Sequence, residues 1–188
     1  ANESYIKDDN FCGLPVVPFE KVESSYPSSE YQMFVAIGYS DLNKKRASIF
    51  EQAKSKGYKL VSYIHPSVVV VGDFEFGENC FVFENSVIQP FVKMGDDVIV
   101  WSGSLISHNT TIKDHCFIAS HVAIAGSSTI EPYCFLGTNC TLRNGIRIAK
   151  ECVIGAGCVI LEDTKEKEVF VTRSTAIPNF NRDLLKDI

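Results

Sequence analysis

Residues 99–124 read IVWSGSLISHNTTIKDHCFIASHVAI, and within them Val100, Ile106, Ile112, Ile118 and Ile124 stand six apart. Followed outward, the same step runs without a slip from Ile64 to Ile160, through seventeen positions that are all large and apolar. Four residues after each comes a second, mostly smaller set that includes Cys80, Ser86, Val98, Ser104, Thr110, Cys116, Ser128, Cys134, Cys140, Cys152 and Cys158. An α-helix requires a period of 3.6 and a strand a period of 2. A period of six matches neither as a continuous element. It fits a chain that turns a corner every six residues, three sides to a coil, with both sets pointing into a narrow prism. Gly77, Gly95 and Gly155 follow the large residue, where glycine suits a corner.

A fixed short period is the mark of a stacked architecture. This one is the hexapeptide repeat of a left-handed parallel β-helix over residues 64–165, and it overrides the usual right-handed crossover. The expected fold is an α/β N-terminal domain (1–63), the β-helix (64–165) and a capping tail (166–188). Six of the seven cysteines occupy the small interior slot, where a thiol serves as a small hydrophobe. That use of free cysteine points to a reducing, cytoplasmic setting.

Residues 13–63 read β-α-β-α-β, the pattern of a small parallel sheet. Leu14–Val17 is a strand, Phe19–Tyr26 a helical turn and Met33–Ile37 a buried run. Ser40 or Asp41 caps a helix that ends at Lys56 before Gly57, and Lys59–Ile64 leads into the prism. Ligands of such sheets sit at the carboxyl ends of strands, here Gly38-Tyr39-Ser40. A helix start and Arg46 there could hold a phosphate; a solvated surface helix is the plainer alternative. Beyond the repeat, Val169–Val171 reads as a strand, and Pro178 and Asn179 precede a short helix near Asp183–Lys186.

The net charge of −5 gives no basic footprint for nucleic acid. No run approaches the ~20 apolar residues of a membrane span. Three histidines fall within fourteen residues, His108, His115 and His121. None is in an interior slot, so all three project outward. At eighteen residues per coil, His108 stacks between Pro90 and Gly126, His115 between Asp97 and Tyr133, and His121 between Gly103 and Asn139. Gly126 beside His108 leaves open space for a ligand. The three lie on different sides and cannot gather a metal within one chain, although two chains could combine them for zinc.

The chain resembles the sugar O/N-acyltransferases related to sialic acid O-acetyltransferase and the bacillosamine-pathway acetyltransferase. Gly13-Leu14-Pro15-Val16-Val17, Phe34-Val35-Ala36-Ile37-Gly38 with Asn43 and Arg46, Trp101-Ser102-Gly103 through His108, and Ile154-Gly155-Ala156-Gly157 carry the likeness. It implies a partial Rossmann-like nucleotide-sugar domain before the β-helix, a homotrimer with sites between subunits, and acetyl-CoA as co-substrate. It puts the general base on His108, the thioester beside Gly126, and the co-substrate along Gly126, Gly137 and Ala156. The implied acceptor is a UDP- or dTDP-linked 4-amino-6-deoxy sugar bound near Gly38 and Arg46, N-acetylated for a bacterial surface glycan. A sugar O-acetyltransferase, a zinc enzyme of carbonic anhydrase type and a non-catalytic binding protein are the other readings. Asn109 stands where relatives often carry an acidic partner of the base, and Phe117 where some carry a second histidine. The first strand and glycine-rich turn of such a nucleotide domain are not in the sequence, so an incomplete or different nucleotide pocket is expected.

Overall fold

The computed structural model describes residues 3–173. Its main body is a parallel β-solenoid of about six turns. Three flat faces hold seven, six and five strands, most of them two residues long. The register advances eighteen residues per coil, so Ile106 lies between Ile88 and Ile124. From Val82 to Ile160 every large residue of the repeat is buried. Each such side chain removed from water contributes about 1.5–3 kcal/mol. Ser104 and Ser128 share the interior because corner carbonyls take their hydroxyls. Ser104 donates to Trp101 and Ala119, and Ser128 to Ala125 and Arg143. At the open first coil Val70 and Phe76 are exposed instead of enclosed, since no coil lies beneath them.

The corners differ from the expectation. The left-handed residue is the third after the large one, with φ between 55° and 59° at Asn79, Asn85, Asp97, Asn109, His115, His121 and Asn139. Asn and Asp tolerate that region better than most residues. The glycines that follow the large residue answer to stacking, not to φ. A Cβ on Gly77 would lie 2.1 Å from Oδ1 of Asp96, and one on Gly137 would lie 2.7 Å from the backbone nitrogen of Ala156.

The structure does not show the partial Rossmann-like sheet. Cys12 and Gly13, at φ 50° and 82°, make a tight turn between β1 (Asn10–Phe11) and β2 (Leu14–Pro15), which therefore pair antiparallel. The Met33–Ile37 run contributes one parallel bridge, Met33 to Leu60. A short helix, α1 (Val22–Ser25), and a longer one, α2 (Lys44–Ser55), complete the segment. The cap of α2 is Asn43, reached through left-handed Asp41 and Leu42, and not Ser40 or Asp41. Gly57, at φ 85°, ends it as read. Val22, Val35, Phe50, Ala53, Tyr58 and Leu60 form a second core. At the other end Val169–Phe170 pairs with Val153–Ile154 and Thr164 fills an interior slot. Pro178, Asn179 and the Asp183–Lys186 helix lie outside the described residues.

Candidate active site

Three faces make three columns of corners, and each column carries one of the three histidines. His108 sits between the second face, which contains Leu105–Ile106, and the third, which contains Thr111–Ile112. Its side chain is exposed. The ring lies over Gly126 on the next coil: a Cβ there would be 2.6 Å from Cε1 and 2.7 Å from Nε2. The space at Gly126 is therefore filled by the imidazole and not left open for a ligand, which corrects the expectation. Nδ2 of the Asn109 amide stands 3.0 Å from Nδ1. The His108 backbone N–H donates to Oε1 of Gln89 at 3.0 Å. Gln89 did not emerge from the sequence, because a glutamine on a solenoid face carries no motif; only the three-dimensional register brings it to His108.

His115 projects out of the prism but not into solvent. It is 8% exposed, its Nδ1 is 2.9 Å from Oδ2 of Asp97, and its ring stacks on Tyr133 and meets Phe50 of α2 edge-on. His121 is exposed and lies over Gly103. Neither shares a corner with His108.

Arg46 is not a phosphate ligand in this structure. It is fully buried, with Nε 3.0 Å from Oδ1 of Asp97. Its remaining nitrogens donate to the carbonyls of Gly38, Asp97 and Cys116 and to Oδ1 of Asn43. Burial lowers the guanidinium pKa and Asp97 opposes that shift. The ion pair pins α2 and the Gly38 loop to the prism. Gly38 itself is exposed. Gly137 is buried under Ala156, which is exposed at the last coil and accepts a hydrogen bond from Thr172.

Two cavities flank the Phe34–Gly38 run. One of about 900 Å³ lies against α2 with Lys45, Ser48 and Gln52 on its wall. The other, of about 260 Å³, is an aromatic cleft closed by Phe83, Trp101 and Phe117. Neither reaches His108. Among the described residues no three His, Cys, Asp or Glu side chains gather to hold a metal ion. No helix among them is long and apolar enough to cross a membrane.

The bacterial transferase hexapeptide family (six repeats) matches residues 75–108, 92–126 and 127–162. None of the curated proteins matches the chain. Among solved structures, PerB from Caulobacter crescentus in complex with CoA and GDP-perosamine has a TM-score of 0.80 at 27% identity, covering 87% of this chain and 78% of that one. The acetyltransferase domain of PglB from Neisseria gonorrhoeae in complex with acetyl coenzyme A has a TM-score of 0.78 at 25% identity, covering 85% and 77%. These matches bear out the likeness to sugar acyltransferases with a hexapeptide left-handed β-helix, and the acyltransferase class. Their bound acetyl-CoA and CoA are the co-substrate read from the sequence.

Proposed function

We propose that the protein transfers an acetyl group from acetyl-CoA to the amine of a nucleotide-linked amino sugar, with His108 as general base. The observation that carries this reading is the seating of the exposed His108 ring on Gly126, in a fold whose similar structures hold acetyl-CoA or CoA, one of them together with GDP-perosamine. An amine attacks a thioester in its neutral form and must shed a proton to become an amide. A neutral imidazole within reach can take that proton. The carboxamide of Asn109 can present either its NH2 or its oxygen to Nδ1. The structure faces Nδ2 to the ring; with the carboxamide turned over so that its oxygen faces it, Nδ1 carries a proton and Nε2 is the basic nitrogen. The amine nitrogen forms its bond to the acetyl carbon, Nε2 accepts the proton, and the carbon–sulfur bond breaks. The proton then passes to the departing thiolate, giving free CoA. A backbone N–H must meet the transient oxyanion; the Gly126 N–H, which makes no hydrogen bond among the described residues, is assigned to it.

Gly137 and Ala156 are assigned to the wall along which acetyl-CoA lies, and Gly38 to the acceptor. The N-terminal segment rests on the corner of Asp97 and His115 and on the first face at Phe117, whereas His108 occupies another corner. One chain thus keeps its base apart from its acceptor loop, which supports a site shared by two subunits; the count of three is what the resemblance to the sugar acyltransferases implies. The nucleotide stays open among UDP, dTDP and GDP. Its test is release of CoA thiol with a panel of these sugars, followed by mass spectrometry of the product. Transfer to a hydroxyl would make the enzyme an O-acetyltransferase. Ligand binding without release would make it a binding protein.

A further inference from the structure

We propose that Gln89 is a positioning residue for His108, a role that rests on the reading of His108 as the base. Two positions of another corner column satisfy the equivalent backbone N–H with a side chain. At the neighbouring column Glu78 donates its N–H to Oδ1 of Asp96, and Asp96 donates its own to Oδ1 of Asp114, both at 2.8 Å. In each case the acceptor is the side chain eighteen residues on, reaching down from the next coil. The residue eighteen on from His108 is Gly126, which has no side chain, and the imidazole fills the space one would need. Seating the ring therefore excludes an acceptor of that kind for the His108 N–H.

Gln89 replaces it from the coil below. A backbone N–H can only donate, so the atom of Gln89 facing it at 3.0 Å must be the carboxamide oxygen. The next residue, Pro90, accepts the N–H of Asn109 through its carbonyl, also at 3.0 Å. Two adjacent residues thus fix the two successive N–H groups that set the direction of the base and of its amide partner. Pro90 has no N–H of its own to compete at this corner. Gly126 and Gln89 form one device: the first makes room for the ring, and the second supplies the hydrogen bond that the room took away.

The test compares Gln89→Ala, Gln89→Glu and His108→Ala in the full chain. Two readouts are taken: amide hydrogen exchange at residue 108 by NMR, which needs no substrate, and steady-state kinetics with acetyl-CoA and the responding sugar. Gln89→Ala is expected to lose protection of the His108 amide. It is also expected to lower kcat by roughly tenfold, as a small displacement of a catalytic group does, with both KM values little changed. Gln89→Glu retains an acceptor oxygen and recovers both protection and most of kcat. Unchanged exchange in Gln89→Ala overturns the proposal, as does a Gln89→Glu variant as slow as Gln89→Ala. If His108→Ala turns over like wild type, the base assignment falls and the positioning role with it. If His108→Ala is inactive while Gln89→Ala keeps full kcat, only the role of Gln89 falls.

Discussion

His108 is useful because of what surrounds it. Replacing it with Ala removes the proposed base, and kcat is expected to fall by about 10²–10⁴ with no change in melting temperature, since the side chain is exposed and closes no core. Gly126→Ala probes its seat. The new methyl would enter within 3.0 Å of three ring atoms, and the ring can swing away. Fold and thermal midpoint are expected to persist while kcat drops, and steady-state kinetics beside a melting curve checks both. Asn109→Asp tests the missing acidic partner. A carboxylate beside an imidazole favours its charged form, so the acid limb of the kcat/KM profile moves to higher pH in the variant. That position was legible in the sequence as a departure from relatives. Its geometry was not, because a left-handed corner residue shows its side-chain direction only once coils are stacked.

Among the elements, α2 and the prism meet through buried charge. Arg46 and Asp97 have fully buried side chains, and Asp97 also takes Nδ2 of Asn79 at 2.8 Å and faces His115. Removing one partner of such a pair strands the other, at about 3–5 kcal/mol. Arg46→Ala is expected to lower stability by that amount in urea unfolding. The repeat itself was readable almost residue by residue, since a step of six admits one packing and places each coil over the last. The N-terminal segment was readable less well. The strand at Leu14 was expected, but its antiparallel partner depends on the Cys12–Gly13 turn, and alternation alone does not reveal pairing. Arg46 read as a surface phosphate ligand and His115 as an outward histidine for the same reason: periodicity tells which residues leave the prism, not what docks on them. The eighteen-residue step did place Asp97 beside His115, but nothing in the sequence joined it to Arg46.

For the whole molecule, the interior thiols make a statement about pH. Burial pushes Cys80 up to about 11 and Cys140 up to about 12 from an ordinary 9.0. Unfolded thiols ionise first, so the stability these groups contribute is complete below about pH 9 and is lost as pH rises through the folded values. Thermal midpoints are expected to fall across that alkaline range. Cys12 alone among the seven is exposed. A thiol reagent at neutral pH is accordingly expected to label one cysteine quickly and six only after denaturation. The homotrimer that the resemblance implies makes a further prediction, that sedimentation gives three times the 20.9 kDa chain mass.

The central claim is acetyl transfer by a base at the His108 corner. Its most direct measurement is CoA release from acetyl-CoA with UDP-, dTDP- and GDP-linked amino sugars, run in parallel on wild type and His108→Ala, with product masses recorded. The account predicts one sugar nucleotide that gains a single acetyl group on its amine with wild type and gains it far more slowly with the variant. Equal rates for the two proteins, or no acetylated product from a folded trimer across the panel, would contradict it.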